Sequence, residues 1–254
     1  KQTVAKWSGN TWTFNYVTGV NYIEFEIEPT SKDGGTVGVE SIMLTKVANN
    51  PAEGKPTVYV LGDSTQKTYT FEEDSMSGYG QVIKNIFDLD KVNVINYSMG
   101  GRSMKSSYDE GRFNDILCSA KEGDFVLIHS AHNDESTGDS AGPDARFGRG
   151  SNSTTYPKWL DIYCAALEAR GITPVLVTAN PRTDGGKPKA SFNPDSPGFM
   201  RKKAAADSKV ELVDLFADAV TYLTKLGKSE TMDIYQSLEA GESPGKTNSG
   251  SYAT

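Results

Sequence analysis

The stretch "VYVLGDSTQKT", residues 58–68, runs four largely apolar residues straight into Gly-Asp-Ser-Thr. A serine lifted off the end of a buried strand is placed to attack a carbonyl, form a covalent acyl intermediate and divide one hard step into two. Ser64 is that serine. The oxyanion that develops needs fixed donors. Three are available: the Ser64 backbone N–H, the Gly101 N–H in "YSMGGRS", which no side chain screens, and the Asn133 carboxamide in "HSAHND". Taken singly these signals are ordinary, because Gly-Asp-Ser makes turns, Gly100 with Gly101 allows a tight bend, and Asn133 with Asp134 caps helices. Their placement, one after each of three successive strands, argues for chemistry.

A nucleophile also needs a base, and the chain holds two histidines, His129 and His132. A general base must meet the proton at hydrogen-bond distance and must itself be oriented. His132, at the end of the third strand, lies within reach of Ser64, but the sequence identifies no partner to orient it. Its expected role is support of the Ser64 loop, while His129 reads as a strand residue packed against the layer above. The pair makes no zinc site, since no third ligand has suitable spacing. Asp134, Asp139 and Asp144 fit no calcium loop, so neither metal nor cofactor is expected. Arg102, Arg146, Arg149 and Arg182 fall on loops of the same edge, where guanidinium forks suit sugar carboxylates. For the last three, solvated loop charge is an equal reading; for Arg102 a structural clamp is favoured.

These side chains need a frame. Short apolar runs at "VYVL", "VNVIN", "DFVLIHS", "TPVLVTA" and "VELVD" alternate with helical stretches near 79–88, 111–120, 157–170, 197–207 and 214–227. Near-continuous apolar strands alternating with helices predict a parallel sheet covered on both faces. Ligands of such a sheet bind beyond the carboxyl ends of its strands, which is where the four polar loops "GDSTQKT", "YSMGGRS", "HSAHND" and "NPRTDGGKPKASFNPDSPG" fall. In the third helix Pro157 suits the first turn, Trp159, Leu160, Tyr163, Cys164 and Leu167 form the apolar stripe, and Gly171 ends it. Residues 11–47 instead alternate with period two, as in Ile23, Phe25 and Ile27 against Glu24, Glu26 and Glu28, and predict a small antiparallel β segment over 1–48. "NNPAEGKP", residues 49–56, is a linker by composition, so the main domain spans 57–254.

A net charge of -7 without a long basic run repels nucleic acid and anionic lipid surfaces. No stretch approaches the ~20 apolar residues of a membrane span, and the start lacks the apolar segment of a signal peptide, leaving a cytosolic protein or one whose signal has been removed. Cys118 and Cys164 read as small core residues, a disulfide between them being the lesser reading.

"GDST", "INYSMGGRS" and "HND" resemble the first three blocks of the SGNH (GDSL-type) hydrolases. More specifically, "VYVLGDST…SGYGQ…VINYSMGGRSMKSSYDEGRFNDIL…GDFVLIHSAHND" is similar to their rhamnogalacturonan acetylesterase branch, over residues 57 to about 240. The resemblance implies a flavodoxin-like three-layer fold and a secreted esterase that removes acetyl groups from plant cell-wall polysaccharide, pectin or a related polymer. It assigns Ser64 as nucleophile and oxyanion donor, with Gly101 and Asn133 as the other donors; Asp63, Arg102 and His132 are expected in support. Two departures stand out. Ala131 occupies the place, two before the asparagine, where the family usually has glycine. The family's late Asp-x-x-His block, source of its base, has no match, and "LEAGESPGKTNSGSYAT" resembles the loop before that block. The expectation is therefore a chain cut short of its catalytic histidine and aspartate, and nearly inactive as it stands, since losing a triad histidine costs about 10⁶-fold. The alternatives are a non-catalytic polysaccharide-binding protein on a hydrolase-like fold and an SGNH esterase for a lipid or aryl ester. "GVNYIEFEIEP…GGTVGVESIMLTKV" also resembles the last strands of a β-sandwich carbohydrate-binding module, with an accessory layer of the main domain as the favoured alternative.

Overall fold

Strand β1 (Thr57–Gly62) is buried along its whole length, as its β-branched and aromatic residues require of a strand covered on both faces. The computed structural model describes residue 38 and residues 54–69, 78–134, 155–184, 187–189, 196–235, 237–238 and 250–251. The expectations for the N-terminal β segment, for Arg146, Arg149, Asp139 and Asp144, and for the "LEAGESPGKTNSGSYAT" run fall outside the described residues, residue 38, Leu238 and the 250–251 pair excepted.

Strands β2 (Asn93–Asn96), β3 (Phe125–His129) and β4 (Thr173–Val177) join β1 in one sheet. Two short strands, β5 (Arg182–Asp184) and β6 (Lys187–Lys189), form a separate antiparallel hairpin, and β7 (Glu211–Val213) completes the main sheet. Its order is β2-β1-β3-β4-β7, all parallel. The five strands lie where the apolar runs predict them. Since β2 lies on one side of β1 and β3 on the other, connections diverge at the carboxyl end of β1, which is the switch point where ligands of such sheets bind. A further two-residue pairing joins β8 (Ser237–Leu238) to β9 (Gly250–Ser251).

Helices α1 (Met104–Asp109), α2 (Arg112–Ser119), α3 (Thr155–Glu168) and α4 (Ser196–Ala206) supply the main core with one face of the sheet. Tyr59 and Leu61 of β1, Val126 and Ile128 of β3 and Leu176 of β4 point into it, in register. From the helices come Phe113, Ile116, Leu160, Tyr163, Cys164 and Leu167. Phe113 and Tyr163 stack at 3.8 Å with planes 4° apart, and the Tyr163 hydroxyl donates to the Met104 carbonyl at 2.6 Å. Each large side chain fully buried here contributes about 1.5–3 kcal/mol. Val58, Val60, His129 and Val177 have the other parity and are buried on the reverse face. Helices α5 (Leu215–Leu226) and α6 (Lys228–Ile234) follow β7.

Two expectations need correction. The stretch near 79–88 forms two 3-10 turns, Tyr79–Gln81 and Ile83–Ile86, in place of an α-helix. Its glycines explain this, because Gly78 and Gly80 press against the backbone of the loop after β1 where helical side chains would not fit. The run at 214–227 forms α5 as expected, and Gly227, with φ 97°, ends it and starts α6, a further short helix. Cys118 is exposed, not a core residue: α2 buries Phe113, Ile116 and Leu117, and position 118 points off that face. Cys164 is buried as expected, and no disulfide joins the two.

Candidate functional site

The loop after β1 is built around two residues that flank Ser64. Gly62 leaves room for Gln66: a Cβ there would lie 2.1 Å from Gln66 Oε1, which accepts from the Asp63 N–H at 2.8 Å. Asp63 is fully buried, and its Oδ1 accepts from both the N–H and the hydroxyl of Thr65 at 3.0 Å. Its carbonyl takes the N–H groups of Gln66 and Lys67 at 3.3 and 3.0 Å. This is an Asx-type turn that fixes the backbone on either side of the serine. Ser64 itself is half-buried, its carbonyl held by the Tyr69 hydroxyl at 3.0 Å. No described residue bonds its hydroxyl or accepts from its N–H.

The second loop approaches Ser64 through glycine. Met99 N–H pairs with the Gly62 carbonyl at 3.2 Å, continuing the β1–β2 ladder, and Arg102 N–H returns to the Met99 carbonyl at 3.3 Å. Gly101, third in this β-turn, has φ 77°, a conformation that glycine adopts without cost. A Cβ on Gly100 would sit 3.8 Å from Ser64 Cβ, so the two loops touch. Among the described residues nothing accepts from the Gly101 N–H. Arg102 is a clamp: its Nε donates to both Glu110 oxygens at 3.1 and 3.0 Å and its Nη1 to the Gly100 carbonyl at 2.9 Å.

From the β3 loop, Asn133 Nδ2 donates to the Arg102 carbonyl at 3.2 Å, tying the third loop to the second. Asp134 is buried, and its two carboxylate oxygens accept from Met104 N–H at 3.1 and 3.2 Å, so it caps α1 alongside Ser103 and Ser106. Among the described residues no group of acids, histidines or cysteines could hold a metal ion. Ala131 is fully buried, its methyl enclosed by protein.

The histidines divide. His129 is buried with Nδ1 3.0 Å from the Tyr79 hydroxyl and its ring tilted against Tyr79 at 5.5 Å. Burial, with help from the His132 charge, pushes its pKa down to about 3. Desolvation raises the Tyr79 phenol well above its usual range, and the Asp63 charge adds to this. His132 has the partner that the sequence did not reveal: its Nε2 lies 3.1 Å from the Asn180 carbonyl beyond β4 and must donate the proton. Burial holds His132 below its ordinary pKa and Arg182 works the same way, against Asp63 and the Asn180 carbonyl.

Sequence reasoning also missed what braces the Ser64 loop. Asn96, the last residue of β2, donates through Nδ2 to the Gln66 carbonyl at 2.7 Å and to Thr68 Oγ1 at 3.1 Å. Gln81 Oε1 accepts from Gly78 N–H at 2.9 Å and Tyr69 N–H at 3.2 Å. Both residues lie in the quoted "INYSMGGRS" and "SGYGQ" motifs, so the signal was present without its meaning.

No family model matches the chain. It is 27% identical over 191 residues to the probable rhamnogalacturonan acetylesterase YesY of Bacillus subtilis, covering 72% of this chain and 80% of that one. It is 28% identical over 191 residues to the rhamnogalacturonan acetylesterase RhgT of the same bacterium, covering 74% and 76%. A rhamnogalacturonan acetylesterase of Emericella nidulans is 25% identical over 210 residues, 78% of this chain and 82% of that one. The chain is thus similar to named rhamnogalacturonan acetylesterases, in keeping with the SGNH resemblance of its motifs. The solved structure of YxiM from Bacillus subtilis shares this SGNH fold with a TM-score of 0.59 at 22% identity; the match spans 78% of this chain but only 52% of that one. These relatives make carboxylic ester hydrolysis, at the level of the family, the chemistry around which an SGNH site is organised.

Proposed function

We propose that this protein is a carbohydrate acetylesterase that works through an acyl-enzyme on Ser64, outside the cell, on acetyl groups of an acidic wall polysaccharide. The observation that carries it is a matched pair of backbone donors. Around Ser64 and Gly101 the neighbouring N–H groups of Asp63, Thr65, Gln66, Met99 and Arg102 are all bonded, while no described residue accepts from the N–H of Ser64 or Gly101. Donors fixed in advance and left for an incoming oxygen are what stabilises a tetrahedral oxyanion. Ser64 Oγ attacks the ester carbon, the carbonyl oxygen takes up charge against these two N–H groups and the Asn133 amide, and the alcohol leaves with a proton. Water then releases acetate from the serine. The names of the relatives point to rhamnogalacturonan, whose uronic acid units carry carboxylates.

His132 keeps a ring nitrogen, Nδ1, that neither of the contacts with Tyr79 and Asn180 uses. His129 is bonded to Tyr79 inside the protein, and the Nε2 proton of His132 is committed to Asn180. Acetate release from acetylated rhamnogalacturonan is therefore measured with the 254-residue chain and with the chain extended by the residues encoded downstream. In whichever form is active, Ser64→Ala should lower kcat by at least about 10³-fold and Asn133→Ala by about 10²- to 10³-fold. Full activity in Ser64→Ala, or polymer binding without acetate release from either form, would replace the esterase reading with that of a binding protein.

A further inference from the structure

Successive carbonyls of the loop after β1 are held by different devices. Asp63 accepts from the N–H groups of Gln66 and Lys67, Thr65 from Tyr79 N–H at 3.1 Å and Gln66 from the Asn96 amide. The Ser64 carbonyl alone depends on a side chain of its own loop, the Tyr69 hydroxyl, which donates to it at 3.0 Å. A peptide unit is planar, so the bonds at the Asp63 carbonyl fix the plane that carries the Ser64 N–H. The Tyr69 hydroxyl, with Asp63 Oδ1 on the Thr65 N–H, fixes the plane that follows. With both planes held, the directions of the Ser64 N–H and of its Cα–Cβ bond are set together.

Tyr69 is itself fixed at two further points. Its N–H donates to Gln81 Oε1 at 3.2 Å, and the Lys67 ammonium stands over its ring, 4.6 Å from the centroid. That is inside the ~6 Å at which a cation is drawn to an aromatic face. The Lys67 stem then runs past Gly100, where a Cβ would lie 3.8 Å from Lys67 Cδ and 3.8 Å from Ser64 Cβ. Gly100 therefore meets the lysine stem and the serine together, one residue before Gly101. The contacts close a ring: Ser64 carbonyl, Tyr69 hydroxyl, Tyr69 face, Lys67 ammonium, Lys67 stem, Gly100 and back to Ser64 Cβ. This ring ties together the two loops that carry the Ser64 and Gly101 N–H groups.

We propose that Lys67 and Tyr69 are positioning residues, a strut that sets the spacing between the Ser64 and Gly101 N–H groups and so their fit to a tetrahedral oxyanion. It rests on the reading of Ser64 as the nucleophile of an esterase. Misplacement by about 1 Å can cost about 10²-fold in rate, so a strut that is only loosened should cost about tenfold. Tyr69→Phe removes the hydroxyl and keeps the ring, and Lys67→Met removes the charge and keeps the stem. In the active form of the protein each should lower kcat about tenfold with KM changed less than about twofold, and equally on acetylated rhamnogalacturonan and on 4-nitrophenyl acetate. As links in series, the two together should lose no more than the larger single loss. Lys67→Arg keeps a cation over the ring and should keep most of the rate; Tyr222→Phe, exposed on α5, should keep all of it. Amide hydrogen exchange read by NMR is independent of turnover: in Tyr69→Phe the Thr65 N–H should exchange at least about fivefold faster, with the amides of β3 and β4 as in wild type. Should Tyr69→Phe fail to fold, Lys67→Met and Lys67→Arg decide by the same readings. Losses that multiply in the double variant, or a loss confined to KM on the polymer, overturn the strut. Unchanged kcat and unchanged exchange in Tyr69→Phe also overturn it and leave the esterase reading standing. Faster Thr65 exchange in a protein that releases acetate in no form does the reverse.

Discussion

At the scale of single residues, the Ser64 loop is defined as much by what its neighbours lack as by what they carry. Gly80 is the clearest case. A Cβ there would lie 2.1 Å from the Gln66 carbonyl oxygen and 2.2 Å from Asn96 Nδ2, driving a wedge into the hydrogen bond that joins them. Gly80→Ala is therefore expected to cost about 2–4 kcal/mol, from overpacking plus a lost buried hydrogen bond, measured by urea denaturation. It should also lower kcat well beyond its effect on KM, because the displaced carbonyl belongs to the turn that presents the serine. Ser64, Gly101 and Asn133 can be singled out from sequence because strand-end serine, unscreened glycine and carboxamide are chemical types that can be weighed at a known edge. Gly80, Asn96 and Asn180 cannot, since their roles exist only as contacts between segments far apart in the chain.

At the scale of elements, strands were the most readable part of the molecule and short helices the least. The runs "VYVL" and "DFVLIHS" announce buried strands by composition alone, whereas α1 has only six residues, two of them serines, and carries little intrinsic helix preference. It forms because Ser103, Ser106 and the distant Asp134 satisfy its first N–H groups. The capping reading of Asp134 was available from sequence, but the helix it caps lies in another loop. Asp134→Ala should destabilise the protein by about 1–2 kcal/mol, as loss of a cap does. Since α1 begins two residues after the carbonyl that holds Asn133, kcat should fall too, with Asp134→Asn recovering part of both losses. Thermal melting and steady-state kinetics on the same samples check this.

At the scale of the whole molecule, the pH dependence of stability follows from its histidines. In the unfolded chain His129 takes up a proton near its ordinary value of 6.5, while in the fold burial delays this to about 3. Between those values the unfolded state binds more protons, so the contribution is fully present above pH 6.5 and is lost as the pH falls toward 3, by on the order of 3–5 kcal/mol in total. The depressed His132 acts in the same direction. Asp214, held below the usual carboxylate range chiefly by Arg201, adds a loss only in the more acidic part of this window. Unfolding free energy measured from pH 7.5 to 4.5 should thus begin to decline near pH 6.5, and His129→Asn, which keeps an acceptor for Tyr79, should flatten that limb. A final consequence concerns the outermost strand. β2 is four residues long, alternately exposed, the outermost strand of its sheet among the described residues, and the side-chain amide of its last residue braces the reactive turn. Sheet margins open before centres do, so gentle heating would silence the protein while most of its architecture persists, making lost turnover an earlier alarm than lost ellipticity.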